Sequence, residues 1–450
     1  MSAQDTAYAG VQRAAAELMR TSGTPGVAVV VVRGDRVDFA RGFGVADVET
    51  GAPMRTDLLA QIGSVTKPMT AALVLTLAHE GRLDAGVPVG RYVQGLAPRL
   101  AGIPLGRLLS QSSGLAEMPG DDGTREESQL LAFARTLGDT IAMLPPGTSF
   151  SYSNLNFSLA GLAAQQAADT PFADLLDARL LQPLGMRRTT FRPMLAMTWP
   201  RAAGHAGRPG EAATVVRPLA DDSRIWPAGY LFSSADEVAR FMAALMNGGR
   251  VGGVQAIPAA VVDSMLRPRV HVPSMRDSLR YGYGLFFDVQ RGRENAWHAG
   301  TLRGYSAVMR FLPVERVGVV VIGNRDGVRM DRIAEAAIAD ALRASGIDLD
   351  GPAQPEPGPA VALSRAEMAR YTGRYAGRFT AQVVARDGGL VLRRLNQELP
   401  LVPLGNHRFT VQSPGAPRRD VLVIIPPEGD RIGYMQMWLW TLPRVADAGR

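Results

Sequence analysis

The apolar positions of this chain change period several times, and each change marks an element. From Pro25, PGVAVVVVRGDRVDFARGFGVAD holds two apolar runs around Gly34-Asp35, which predicts two strands joined by a turn. The stretch before it, MSAQDTAYAGVQRAAAELMRTSG, has apolar residues on one side only and predicts an amphipathic helix. In PMTAALVLTLAHEG, from Pro68, residues Leu73, Val74, Leu77 and Ala78 fall at helical spacing, and Gly81 is the expected stop. A long middle of helical patterns and loops follows. YGYGLFFDV and AVMRFLPVERVGVVVIGN then return to strand character, and MDRIAEAAIADALRASG is a final helix. Strands at both ends with helices between predict an α+β unit: one antiparallel sheet built from the two ends, with a helical region beside it.

GPAQPEPGPA, residues 351–360, breaks every pattern and reads as a Pro/Gly linker. LSRAEMARY after it opens with a capping box, Ser364 to Glu367. From Tyr375 the chain becomes short alternating strands with turn signals such as Asp387-Gly388-Gly389, the pattern of a small β-barrel. The expected division is a catalytic unit over 1–350, a linker over 351–361 and a β domain over 362–450.

The bulk properties narrow the picture. At 450 residues the chain exceeds one ordinary core. A hydrophobic share of 46% with 20% charged residues is that of a globular protein. Cysteine is absent, which excludes disulfides, a thiol nucleophile and a thiolate metal site. His79, His205, His271, His298 and His407 have no metal-ligand spacing, so neither a metal nor a cofactor is expected. The net charge of +7 comes from dispersed arginines without interleaved aromatics, which argues against a nucleic-acid partner. No apolar run is long enough to span a membrane, and no signal-peptide core is visible. A native start at Met1 implies the cytosol, whereas a removed leader would imply secretion or the periplasm.

One residue stands out against that composition. Lys plus Arg total 49, and Lys67 is the one lysine among them. Arginine replaces lysine well as a surface charge but not where the side chain must lose its proton. Bringing lysine to neutrality near pH 7.5 costs about 4 kcal/mol, and doing so to arginine about 7 kcal/mol or more. A site that needs a neutral amine therefore keeps lysine. Ser64 stands three residues before it. Pro68 fits only a first helical turn, so the helix begins close to Ser64, and i and i+3 share one face. Ser64 Oγ and Lys67 Nζ then meet at a helix start, where free N–H groups stabilise an oxyanion and depress the lysine pKa.

Two further stretches complete a pattern. PPGTSFSYSNLNFSLAG contains Tyr152-Ser153-Asn154, and WHAGTLRGYSA contains His298-Ala299-Gly300. With Ser64-x-x-Lys67 these resemble the three motifs of the serine β-lactamase and penicillin-binding-protein family, in the family's order. LLSQSSGL at 108–115 and PAGYLFSSADEVARFM at 227–242 add to the likeness, which covers residues 10–345. The resemblance implies Ser64 as nucleophile and Lys67 as its base. It makes Tyr152 a proton relay, as base in acylation or acid toward the leaving group. Asn154 would bind Lys67 and a substrate amide. His298 would line the opposite wall and keep the site electropositive. The N–H groups of Ser64 and Thr301 would form the oxyanion hole. Trp226, Gly300 and Arg303 are expected along the cleft, and Trp297 in the core.

His298-Ala299-Gly300 replaces the K-T-G of β-lactamases. It resembles D-alanyl-D-alanine peptidases, D-aminopeptidases and the penicillin-binding-protein-type thioesterases that cyclise peptides. Gln111 replaces the usual histidine of LLSQSSGL and receives no function. The last domain resembles the lipocalin-like domain of the cyclising enzymes, where an arginine near the chain end holds substrate, and Arg444 is at the matching place. The expected activity is a serine acyl-enzyme hydrolase or acyltransferase on peptidic substrates with a D-residue donor: a peptide-cyclising thioesterase of the penicillin-binding-protein type first, or a D-peptidase. A small-ester hydrolase or β-lactamase-like hydrolase is the alternative. A non-catalytic penicillin sensor has no use for a neutral lysine. Residues 362–450 are expected to wall one side of the cleft, so that truncation near Asp350 spares small-ester turnover and depresses peptide turnover.

Overall fold

A computed structural model describes residues 6–117, 123–207, 211–273, 278–347, 358–411, 420–429 and 431–446. The first unit is organised on an antiparallel sheet. Its strands are β1 (Gly26–Arg33), β2 (Arg36–Gly44), β3 (Val270–His271), β4 (Arg280–Tyr281), β5 (Phe286–Gln290), β6 (Arg293–Leu302), β7 (Tyr305–Leu312) and β8 (Val317–Gly323). Their order is β2-β1-β8-β7-β6-β5-β4-β3, so the two ends of the unit pair directly, Val27 opposite Gly323.

The unbroken apolar run of β1 follows from burial on both faces. Val27, Val29 and Val31 pack with helices α1 (Ala9–Ser22) and α5 (Asp331–Ala344). Ala28, Val30 and Val32 point the other way, into the larger core shared with α2 (Thr66–His79), α3 (Asn154–Ala168) and α4 (Ala235–Met246). Among the described residues no helix is long and apolar enough to cross a membrane.

The second unit starts with α6 (Arg365–Tyr371), whose capping box of Ser364 and Glu367 is formed. Eight strands follow: β9 (Gly373–Ala376), β10 (Thr380–Arg386), β11 (Gly389–Arg394), β12 (Gln397–Gly405), β13 (Arg408–Val411), β14 (Asp420–Ile425), β15 (Tyr434–Met437) and β16 (Trp440–Val445). Each pairs with the next, and β16 returns to β9, which closes the barrel and removes every edge. The proposed linker over 351–361 lies largely outside the described residues.

The barrel is fastened to the first unit through the β15–β16 turn. Tyr152 N–H donates to Leu439 O at 2.9 Å. Phe150 O accepts from Gln436 Nε2 at 2.7 Å and from Thr441 Oγ1 at 2.8 Å. Leu439 and Trp440 pack against Phe150, Tyr152, Tyr281 and Phe286.

Candidate active site

Ser64 sits in a single 3₁₀ turn, Gly63–Val65, that runs straight into α2. Thr66 Oγ1 donates to Gly63 O at 2.7 Å and braces the turn. Within residues 61–77 every residue is buried except Ser64, so this apolar segment presents one hydroxyl. The same holds at α3, where Asn154 alone among residues 150–164 is not buried. Each helix carries one open polar residue at its start, and the two meet at Lys67.

Lys67 is fully buried and its Nζ has three partners: Ser64 Oγ at 2.8 Å, Asn154 Oδ1 at 2.7 Å and Ala228 O at 2.7 Å. Burial holds its pKa down to about 7, against the opposing pull of the Glu117 charge. The Tyr152 ring lies 4.8 Å from Nζ. Tyr152 also hydrogen-bonds Ser64, and burial raises its phenol well above the ordinary range. Tyr152 therefore keeps its proton, which favours the acid over the base among its two expected roles.

The protonation state of Lys67 decides the direction of the Ser64 contact, because an ammonium donates to all three oxygens. Asn154 Oδ1 and Ala228 O only accept. A neutral amine has two N–H groups and one lone pair, so both N–H groups go to those oxygens. The lone pair is left for the Ser64 hydroxyl.

Strand β6 crosses the Ser64 turn at closest approach. A Cβ on Gly300 would lie 2.0 Å from Ile62 O and 2.9 Å from Ser64 N. A Cβ on Gly63 would lie 2.8 Å from Thr301 N. Only glycine fits at either place, and the crossing brings together the two N–H groups expected to bind an oxyanion. Gly300 forms this crossing. Arg303 is exposed at the β6–β7 turn, beyond Thr301.

Three expected roles are corrected. His298 is 1% exposed, and burial together with the nearby Lys67 lowers its pKa to about 3. Its Nδ1 faces Ala299 O at 2.7 Å and its Nε2 faces the Tyr281 hydroxyl at 3.3 Å. The carbonyl only accepts, so Nδ1 carries a hydrogen, and the lowered pKa favours the neutral ring. It cannot make the site electropositive. Trp226 is core: 4% exposed, stacked on Phe191 at 5.4 Å, its Nε1–H donating to Asp221. What its segment offers the site is backbone, Pro227 O to Thr70 and Ala228 O to Lys67. Arg444 turns away to cap α6, with Nη2 donating to Thr372 O at 2.5 Å and Nη1 to Arg370 O at 3.4 Å. Trp297 stacks on Phe286 at 4.6 Å, as a core residue does.

Two residues passed over in the sequence belong to the site. Gln111 is buried with φ 53°. Its Oε1 accepts from Ser153 N at 2.9 Å and from Asn156 Nδ2, and its carbonyl accepts from Ser151 N at 2.8 Å, so it braces the Tyr152 turn. Glu117 is 8% exposed. It accepts from Asn154 N at 3.0 Å and Asn154 Nδ2 at 3.2 Å. Burial raises its pKa against the effects of Lys67, Asn154 and Arg378. No motif spacing marks Glu117. Its only sequence signal is an acid two residues after LLSQSSGL.

Residues 11–343 match the family described as Beta-lactamase. Protein flp of Staphylococcus aureus (strain MW2) is 25% identical over 321 residues, 69% of this chain, and the chain spans only 62% of that relative's length. The D-aminopeptidase of Gluconobacter oxydans (strain 621H) is 30% identical over 393 residues, covering 82% of this chain and 67% of that protein. The crystal structure of SurE is 25% identical with a TM-score of 0.79, covering 98% of this chain and 99% of that one.

Proposed function

The chain belongs to the beta-lactamase family of serine hydrolases, and on that premise we propose that it forms an acyl-enzyme on Ser64 from peptidic substrates with a D-residue as acyl donor. The observation that carries this reading is the setting of Lys67: buried, its pKa held down to about 7, and its Nζ placed between Ser64 Oγ and two oxygens that only accept, so that the neutral amine turns its lone pair to Ser64.

Ser64 Oγ attacks the carbonyl carbon as its proton passes to Lys67 Nζ. The oxygen of the tetrahedral intermediate gains negative charge and is held by the N–H groups of Ser64 and Thr301. Tyr152 donates its hydroxyl proton to the leaving group as the bond to carbon breaks, and is reprotonated by the proton that Lys67 took from Ser64, whose Oγ now carries the acyl group. Water or an amine then attacks the ester carbonyl by the reverse route and frees Ser64. The D-aminopeptidase relative supports a D-residue donor.

Intact-mass measurement tests the proposal, using peptidyl thioesters, p-nitrophenyl esters, D-residue amides and a β-lactam. The wild type should gain the acyl mass from D-residue donors, and Ser64→Ala should gain none. Labelling of Ser64→Ala places the nucleophile elsewhere. Equal labelling by L- and D-residue donors removes the stereochemical part.

A further inference from the structure

We propose that Glu117 is a positioning residue for acylation: by accepting both N–H groups of Asn154, it turns the Asn154 carbonyl toward Lys67 and so aims the lysine lone pair at Ser64. The inference rests on the reading of Ser64 and Lys67 as nucleophile and base.

An asparagine side chain is a donor on one arm and an acceptor on the other, and its surroundings decide which arm faces which way. Here Nδ2 points to Glu117 Oε1 and Oδ1 to Lys67 Nζ. The second carboxylate oxygen takes the backbone N–H of the same residue, at the first position of α3. Burial lifts the Glu117 pKa to about 7, and in the ionised form present above that pH it has only acceptors, so it tolerates this arrangement and no flipped one. The loop that carries Glu117 is itself tied down, since Ser153 Oγ donates to Ala116 O at 2.7 Å.

Without Glu117 the lock is lost. If Asn154 turned its amide nitrogen to Lys67, a neutral lysine would accept from it with its lone pair and point an N–H at Ser64. The seryl proton would then have no acceptor. Burying a carboxylate is costly unless its charge is used, and this one is satisfied through the partner of the lysine.

Glu117 also acts through charge. The ionisable groups around it are Lys67 from α2, Tyr152 beside the start of α3, and Arg378 from the β9–β10 turn of the barrel; His298, on β6, lies near Lys67. Its negative charge raises the pKa of Lys67, so removing that charge lowers it and frees the neutral amine at lower pH. Geometry and charge therefore push in opposite directions, and this makes the role measurable.

The test is acylation of the full chain by p-nitrophenyl acetate, followed by pre-steady-state release of nitrophenol across the pH range. Glu117→Gln keeps size but offers an amide nitrogen where Asn154 needs an acceptor. Its acylation rate constant should fall by about 10- to 100-fold, the scale of one mispaired buried polar group. KM should stay within about twofold. The acid limb of the profile should move to lower pH. Glu117→Asp keeps the charge but shortens the reach, so it should lose rate with the limb unmoved. In an Asn154→Ala background either change should cost little more, because the group it orients is gone.

A wild-type rate in Glu117→Gln, or a loss that simply adds to that of Asn154→Ala, overturns the proposal. If Glu117→Gln does not fold, Glu117→Asp alone and with Asn154→Ala decides by the same additivity. Ser64→Ala keeps the two readings apart. Acylation that survives in Ser64→Ala sinks the site itself. A silent Ser64→Ala beside an unimpaired Glu117→Gln sinks only the role of Glu117.

Discussion

Lys67 meets two oxygens that can only accept and one hydroxyl that can also give, and this asymmetry turns a buried cation into a base. Arginine keeps its charge and has no lone pair to offer. Lys67→Arg should therefore be nearly as damaging as Lys67→Ala, with kcat/KM on an activated ester lowered more than about tenfold, or about 1.4 kcal/mol. A smaller loss would mean that a neutral amine is not required. The pH dependence has a definite sign. Protonated Lys67 has three donors and no lone pair, so acylation should be slow in acid and rise through about pH 7 as the Lys67–Glu117 pair, both held near that value, loses its protons. His298, already neutral above about 3, should add no inflection near neutrality, and Tyr152 stays protonated throughout. A limb that moved on replacing His298 by an uncharged residue of similar size, with Lys67 intact, would reassign the titrating group.

At the scale of elements, two secondary structures touch where a side chain is forbidden. Gly300→Ala would set a Cβ 2.0 Å from Ile62 O, which is backbone and cannot swing aside. The strand and the Ser64 turn must separate, and the spacing of the Ser64 and Thr301 N–H groups changes with them. The expected cost is about 1–3 kcal/mol of stability by overpacking. A kcat loss larger than about tenfold should accompany it, with KM little changed, because the hole acts mainly on the transition state. Thermal denaturation and steady-state kinetics on one preparation check both. A stable, fully active Gly300→Ala would show that the crossing does not set the oxyanion contacts. Gly63 adds a left-handed φ of 53° to the same constraint, which alanine adopts only under strain.

At the scale of the molecule, the barrel reaches into the catalytic unit and holds the main chain on which Tyr152 sits. This changes the expectation for the second domain. A wall that only excluded water would spare small esters when removed. Leu439 O, Gln436 and Thr441 instead fasten Phe150 and Tyr152, so weakening the dock should slow small and large substrates together. Thr441→Val deletes one of the two barrel side-chain donors to Phe150 O, which also has a longer contact from Ser149 Oγ at 3.3 Å, with little change of shape. Combined with Gln436→Leu it removes both barrel donors and leaves that carbonyl only the longer Ser149 contact, at about 1–3 kcal/mol. Ester and D-peptide turnover by the folded double variant should fall in parallel. Peptide turnover falling alone would restore the simple wall.

Much of this architecture is written locally. The valine run of β1, the apolar spacing of α2 and the capping box of α6 are short-range patterns, because period and termini are properties of neighbouring residues. Ser64 and Lys67 were legible for the same reason, being one helical turn apart with a lone lysine to mark them. What lay beyond the sequence was set by partners far away in the chain. Glu117 reaches Asn154 across 37 positions, and Gln436 reaches Phe150 across 286. Several of these contacts use backbone carbonyls or amides, which every residue carries and no motif can flag. Charge states were hidden too. His298 reads as a cation until burial neutralises it, and Arg444 reads as a substrate contact until α6 claims its guanidinium. Burial and partner geometry exist only once the chain has folded, and they decided which of the legible residues are equipped to act.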